Sequence, residues 1–338
     1  MGHPTISVVM SIYNEPEEWL RDSIESILHQ TFGDLEFIIV NDNPGRALNN
    51  QVIEHYMALD NRIVRIDNAM NLGLTCSLNI ALREAKGNYI ARMDGDDISL
   101  PDRLKVQHDF MEKHPDIGLC GCWISYFGTI NLLTSRINRL PVTPADIKTA
   151  FLFYNPLVHP SVFFRKDLLY STNTMYDEQF RNAQDYLLWE NLLNHSIQLA
   201  NINKVLLRYR VSNEQISNKL KSNQNSVANA IQMRTLEKME IELSDTEKSL
   251  FCCIINRGIL SNLEFHLAEQ LLIKIRAALL TNSTTNQHFA NKILHLEWVN
   301  CFKNLKADRK PWKTFFSSPL FQFRDLRLRD LAKIVLSA

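Results

Sequence analysis

Met93-Asp94-Gly95-Asp96-Asp97 puts three carboxylates within four residues, directly after the apolar run Tyr89-Ile90-Ala91 and just before Ser99-Leu100-Pro101. That order reads as a strand running into an acidic loop. Carboxylates so close repel one another, and a chain that keeps them together can relieve the repulsion by giving them a cation to share. Oxygen ligands on a loop suit Mg²⁺ or Mn²⁺ better than zinc. Such ions keep water and substrate phosphates among their ligands, so a phosphorylated ligand is the natural companion. Taken alone, the loop serves equally well as a solvated acidic turn.

The elements around the loop decide between these readings. Ile6 to Tyr13 is a continuous apolar run with β-branched residues, the pattern of a strand covered on both faces. It ends in Asn14-Glu15-Pro16, and Trp19, Leu20, Ile24, Ile27 and Leu28 then recur at helical spacing. Glu36 to Val40 predicts a second strand ending in Asn41-Asp42-Asn43-Pro44, with a helix following to about Leu59 and a third strand over Ile63 to Ile66. Asn71-Leu72-Gly73-Leu74 turns the chain into a helix over Thr75 to Lys86, Gly87 is expected as its left-handed cap, and Tyr89 to Met93 is the fourth strand. This alternation predicts a doubly wound α/β domain with a mostly parallel sheet. In such sheets ligands gather beyond the carboxyl ends of the strands, here Tyr13-Asn14-Glu15, Asp42-Asn43 and Asp94 to Asp97. An aromatic ring, a lone carboxylate and a cation site at one edge match a nucleoside diphosphate. Neither the G-x-G-x-x-G dinucleotide fingerprint nor a Walker lysine loop occurs.

Farther along, a helix is expected over Pro101 to His114, a long strand over Ile117 to Phe127, a helix over Pro144 to Tyr154, and a strand across Asn155 to Lys166 with His159 at its mouth. A helix through Asp185 to His195 and a strand over Val205 to Val211 follow. From Ser222 onward the pattern is helical, with amphipathic runs near 224 to 242, 246 to 257, 262 to 281 and 287 to 305. The organisation expected is a nucleotide-sugar half over residues 1–105, an acceptor half of the same domain over 106–217, and a helical region over 218–338. A net formal charge of zero supplies no global field for nucleic acid. The six cysteines lack disulfide or zinc spacing and read as buried thiols of a reducing compartment; Cys120 and Cys122 would face one side of a strand. No secretory leader pattern opens the sequence and no apolar run of about 18 residues occurs, which points to a cytoplasmic protein. The last segment interleaves Trp312, Phe315, Phe316, Phe321 and Phe323 with Arg324, Arg327, Arg329 and Lys333, so residues 311–338 are expected to meet a membrane surface or to pack on protein.

Together these landmarks resemble the family 2 glycosyltransferases, inverting nucleotide-sugar-dependent enzymes with the glycosyltransferase A fold. The resemblance spans about residues 4–217. It rests on Ser7 to Asn14, Val40-Asn41-Asp42-Asn43, Asn71 to Leu74, Ile90 to Asp97 with Pro101-Asp102-Arg103-Leu104, His159-Pro160-Ser161, and Gln184 to Trp189. It implies that Tyr13 stacks on the base, that Asp42 bonds the base edge, and that Asp94 and Asp96 serve ribose and metal. Asn14, Glu15, Asn71, Arg92, His159 and Arg210 join the expected donor contacts, and Asp185 matches the general base.

The resemblance implies transfer of one hexose or N-acetylhexosamine from a UDP-sugar, with Mn²⁺ or Mg²⁺, to a saccharide hydroxyl. That acceptor is expected to be linked to a polyprenyl diphosphate in cell-surface polysaccharide or O-antigen synthesis, with the enzyme peripheral at the inner face of the membrane. Two departures stand out. Gln184 replaces a glutamate that commonly precedes the base, and Ser212, Asn213 and Glu214 occupy a stretch where many members carry a histidine. Gln184 also fits a non-catalytic sugar-nucleotide-binding module, the competing reading. Processive members carry membrane helices and Q-x-x-R-W, both absent from this sequence.

Overall fold

The computed structural model describes residues 3–128, 136–180, 183–212, 221–306 and 310–326. It divides into two compact units, residues 1–144 with 156–224 and residues 145–155 with 225–338. In the first unit β1 (Ile6–Ile12), α1 (Glu17–Leu28), β2 (Leu35–Asn41), α2 (Ala47–Leu59), β3 (Ile63–Asp67), α3 (Leu74–Glu84) and β4 (Tyr89–Asp94) alternate as the sequence predicts. The strands lie in the order β3-β2-β1-β4, all parallel. Both faces of β1 are covered: Ile6, Val8, Val9, Met10 and Ile12 are buried without regard to alternation. Fully burying one such side chain is worth about 1.5–3 kcal/mol, and even Ser7, on the face it shares with Val9, is fully buried, donating to Glu36. Register brings Ser11 beside Asp94, Ile12 beside Asn41 and Asn41 beside Asp67, so the loops that follow these strands leave from one edge.

The other half of the sheet is mixed. After β5 (Ile98–Ser99) and α4 (Arg103–Lys113) come β6 (Ile117–Gly128), β7 (Ile137–Asn138), α5 (Pro144–Ala150), which belongs to the second unit from Ala145 on, β8 (Phe163–Arg165), α6 (Asp167–Ser171), α7 (Gln184–Asn194) and β9 (Gln198–Val211). β8 is antiparallel to both β4 and β6, β9 is parallel to β6, and β5 is antiparallel to β9. Doubly wound parallel order therefore holds for β1 to β4, while antiparallel joins complete the sheet. Cys120 and Cys122 are buried in its core, as same-side strand residues should be.

Three local expectations fail. Asn155 to Lys166 is not one strand. Pro156 and Pro160 lack amide donors, and residues 159–161 close a 3₁₀ turn in which the Ser161 amide and hydroxyl both donate to Val158 O, at 2.8 and 2.7 Å. β9 starts at Gln198 and not at Val205; buried Asn201, within the added stretch, has its Nδ2 satisfied in place, donating to Pro141 O and Pro156 O at 2.7 and 3.0 Å. Gly87 is no left-handed cap; Ala85 caps α3 with φ −58°. Gly87 is required by close approach, since a Cβ there would lie 2.5 Å from the Ser7 amide nitrogen.

In the second unit α8 (Lys221–Lys238), α9 (Asp245–Ile255), α10 (Asn262–Thr281) and α11 (Gln287–Lys303) follow the predicted helical runs, and a short helix that the pattern does not predict, α12 (Trp312–Ser317), follows them. Ser244 with Glu247 and Ser261 with Glu264 form capping boxes that start α9 and α10. Phe265, Trp298, Phe302 and Phe315 stack in the core, and Trp298 Nε1 donates to Phe315 O at 3.1 Å. The first part of the aromatic tail thus packs on protein, while Phe316 and Phe323 remain 40% and 77% exposed. Arg327, Arg329 and Lys333 lie outside the described residues. No described helix is long and apolar enough to cross a membrane.

Candidate active site

Asp94 closes β4, and Asp94, Asp96 and Asp97 each bring a carboxylate oxygen within 4.8 Å of the others. Arg92, buried one turn of the pleat below, forks both of its terminal nitrogens onto Asp94. Asp97 is 1% exposed; its Oδ1 accepts from the Arg210 amide at 2.8 Å, and its Oδ2 is buried without a hydrogen-bond partner. Burial first, then Asp94 and Glu15, push Asp96 up to about 7. Burial first, then Asp94 and Asp96, push Asp97 well above the ordinary carboxylate range. Glu15 is raised as well, chiefly by burial and then, among the charges, by Asp94. A buried orphan oxygen among carboxylates that repel one another fits a divalent cation, and it is the acid at Asp97 that distinguishes this loop from a solvated turn.

Arg210, expected to contact donor, is turned onto the loop itself. Its Nε donates to Asp96 O at 2.7 Å, one terminal nitrogen donates to Asp22 Oδ2 at 3.2 Å, and its guanidinium lies over Trp19 and Phe127 at 4.7 and 4.4 Å. Behind the loop Arg103 is fully buried and donates to Gln107 Oε1, Arg92 O and Val162 O, with its pKa lowered by burial. Arg210 thus holds the loop directly, and Arg103 holds the backbone of Arg92 at its root.

The β1 and β2 end of the edge is built by side chains that hold backbone. Tyr13 is 42% exposed, and Asn14 beside it is exposed. Their turn is fastened by the Tyr13 amide donating to Glu15 Oε2 (2.8 Å), by Asn49 Nδ2 donating to Tyr13 O (3.0 Å) and by Arg46 donating to Glu15 O (2.8 Å). Asp42 is buried, and its carboxylate accepts from Asn68 Nδ2 and the Leu72 and Gly73 amides at 2.7, 2.8 and 2.9 Å. Gly73 adopts φ 87°, a conformation that suits glycine, at the cap of α3. Asp42 therefore shapes the Asn71 loop, and Asn71 projects exposed from it.

On the other flank Asp185 sits in the first turn of α7; Ala183, with φ 56°, holds the cap position, so Asp185 is not the cap. His159 Nε2 lies 2.7 Å from the Tyr176 hydroxyl, and burial, then Arg92, hold His159 well below its usual pKa. Burial raises Tyr176, and the charges of Arg92, Asp185 and Asp94 all act on its hydroxyl. Tyr176 thus lies in the field of the acidic loop and of Asp185 together. Sequence patterns missed Tyr176, Asn79, Asn49 and Arg46. The available signal was polarity in the wrong place: Asn79 falls on the buried face of α3, where an amide needs a partner.

An α/β sheet whose carboxyl edge gathers an acidic triad and an exposed tyrosine, with a carboxylate in the first turn of a later helix, has the organisation of the glycosyltransferase A fold. Residues 7–177 match the family model described as glycosyl transferase family 2, and the chain belongs to that family. It is similar to an uncharacterized glycosyltransferase of Methanocaldococcus jannaschii, 38% identical over 63% of this chain and 73% of that protein. It is also similar to an O-antigen biosynthesis glycosyltransferase of Escherichia coli, 34% identical over 62% of this chain and 80% of that protein. Among solved structures, S. aureus TarS 1-349 in complex with UDP-GlcNAc aligns with TM-score 0.52 at 15% identity, covering 98% of this chain and 79% of that one. A mannosyltransferase from Pyrobaculum calidifontis in complex with GDP-Man and Mn²⁺ aligns with TM-score 0.54 at 14% identity, covering 99% and 86%. These structural likenesses establish the fold.

Proposed function

We propose that the chain transfers one hexose or N-acetylhexosamine from a UDP-sugar, with inversion, to a hydroxyl of a saccharide acceptor in cell-surface polysaccharide synthesis. The observation that carries this reading is the acidic triad with the orphan Asp97 Oδ2 at the edge where β1, β2 and β4 end. Residues 1–105 hold the donor in this reading, and 106–217 the acceptor. Asp94 and Asp96 would hold Mn²⁺ or Mg²⁺, with Asp97 bracing the loop. When bound, that ion stabilises negative charge on the leaving diphosphate. Tyr13 stacks on the base, Asp42 and the Asn71 loop meet its edge, and Asn14, Glu15, Arg92 and His159 line the donor. Asp185 takes the proton of the acceptor hydroxyl as its oxygen bonds to C1 of the sugar; the bond from C1 to the diphosphate oxygen breaks, and UDP leaves.

The name of the Escherichia coli relative supports the wider setting of O-antigen or polysaccharide synthesis; in this reading the acceptor is linked to a polyprenyl diphosphate and the enzyme works at the inner face of a membrane. Two substitutions test the assignment. Asp96→Asn should abolish turnover and weaken donor binding, and Asp185→Asn should lower kcat by at least ~10²-fold with donor affinity retained. Full activity in excess chelator would overturn the metal assignment. Collapse of donor affinity in Asp185→Asn would make that residue structural. A chain that binds UDP-sugar with Mn²⁺ yet neither hydrolyses nor transfers it would instead be a binding module, the reading Gln184 favours.

A further inference from the structure

Tyr176 is 4% exposed in the link between α6 and α7. One side chain holds both of its backbone polar groups: Asn79 Nδ2 donates to Tyr176 O at 2.8 Å, and the Tyr176 amide donates to Asn79 Oδ1 at 3.1 Å. Asn79 also donates to Glu178 Oε1 at 2.9 Å, and Thr75 Oγ1 to Phe180 O at 3.1 Å. The link is thereby tied to α3, the helix whose cap Gly73 is held by Asp42. From this fixed backbone the phenol reaches His159 Nε2 at 2.7 Å, the two rings meeting edge-on at 5.4 Å. His159 in turn meets Trp189 edge-on at 6.2 Å, and Trp189 belongs to α7, the helix that carries Asp185. A chain of contacts therefore runs from the Asp42 loop through α3, Asn79, Tyr176 and His159 to α7.

We propose that Tyr176 is a positioning residue whose hydroxyl, bonded to His159, holds the Asp185 helix in register with the nucleotide edge, so that an acceptor hydroxyl at Asp185 meets the anomeric carbon of the bound donor. This rests on reading the site as a glycosyltransferase centre. The bond joins a protonated phenol to a neutral imidazole, both kept so by burial, and it needs no change of charge during turnover. Misplacing reacting groups by about 1 Å can cost ~10²-fold in rate without touching ground-state binding, which sets the size of effect to seek.

Tyr176→Phe keeps the ring and both Asn79 bonds, because those are made by backbone. With the nucleotide sugar that the wild-type protein turns over, kcat for transfer should fall about 10- to 100-fold, while the donor Kd stays within about twofold and the melting temperature holds. His159→Ala should lower kcat at least as far and, because His159 also lines the donor, raise the donor Kd as well; His159→Gln should recover part of the kcat loss, and Tyr176→Phe with His159→Ala together should be no worse in kcat than His159→Ala alone. A kcat of Tyr176→Phe within about twofold of wild type, additive losses in the double variant, or a Tyr176→Phe loss that tracks donor affinity or melting temperature would overturn the proposal. If the wild-type chain turns over no nucleotide sugar, the transferase reading falls with it; if wild type is active and Tyr176→Phe is unimpaired, only the positioning role falls.

Discussion

Arg210 is bonded to the acidic loop by both its backbone and its side chain. Its amide bond to Asp97 is made by backbone and survives any substitution, whereas the Nε bond to Asp96 O and the stacking over Trp19 and Phe127 require a planar guanidinium. Arg210→Lys should therefore keep the fold and weaken Mn²⁺ binding about 10-fold by calorimetry, the range expected when a support of a metal ligand is lost. Unchanged affinity would show that the loop holds its shape without the side chain. Asp96 gives a pH-dependent prediction. Its pKa is about 7 in the folded chain against 3.8 ordinarily, so between these values the folded state holds a proton that the unfolded state has released. That group's contribution to stability therefore declines as pH rises through this window. The chelated protein should lose melting temperature from about pH 5 to about pH 8, and Mn²⁺ should raise it more at the higher pH, where no proton must be displaced. A Mn²⁺ shift independent of pH, or unaltered by Asp96→Asn, would refute the assignment.

At the scale of elements, β1 leaves little room for its neighbours. The Gly87 amide donates to Ser7 Oγ at 2.8 Å, Ser7 Oγ donates to Glu36 Oε1 at 2.6 Å, and the Lys86 amide donates to the same oxygen at 2.6 Å, a knot joining β1, β2 and the entry to β4. A Cβ at Gly87 meets backbone atoms of Ser7 and Ile6, which cannot rotate away. Gly87→Ala should cost about 1–3 kcal/mol in denaturant unfolding, the range for overpacking, whereas Gly33→Ala, with open space around it, should cost little. Equal midpoints would refute the close-approach account. The same strands explain why the first four repeats were legible in sequence. Parallel strands buried on both faces are continuous apolar runs, and their loops fall at one edge by topology, so Tyr13, Asp42 and Asp94 to Asp97 could be assembled without coordinates. Legibility ended where side chains replace backbone ladders. Residues 155–166 are shaped by two prolines and the bonds of Ser161, the first part of β9 carries the buried amide of Asn201, and Tyr176 is held by Asn79; none of these leaves a period in the sequence. The placement of Arg210 failed to be legible for a related reason, since a basic residue near an acidic loop suits a ligand and a strut equally.

For the whole molecule the open question is what the aromatic tail does. Phe315 is fully buried against Trp298 and Phe302, and Leu320 is buried with it, so these side chains are part of the helical unit's core, and deleting the segment from 311 onward would remove them together with any membrane contact. Phe316 and Phe323 differ. They stack nearly parallel at 6.3 Å, stay exposed, and stand beside exposed Lys313 and Arg324. Aromatic rings favour the headgroup layer, and each basic residue close to an anionic surface contributes about 1 kcal/mol. A pair of point variants separates the two roles. Phe315→Ala should destabilise the helical unit by about 3–5 kcal/mol, as loss of a buried phenylalanine does. Phe323→Ser should leave stability within about 0.5 kcal/mol of wild type, because the ring is mostly in solvent. If the tail attaches the enzyme to a membrane, Phe323→Ser, and more so the combination with Arg324→Glu, should sediment less with vesicles containing phosphatidylserine while turning over a soluble acceptor at the wild-type rate. Sedimentation equal to wild type in that double variant would end the membrane assignment and leave the exposed pair as surface of the helical unit.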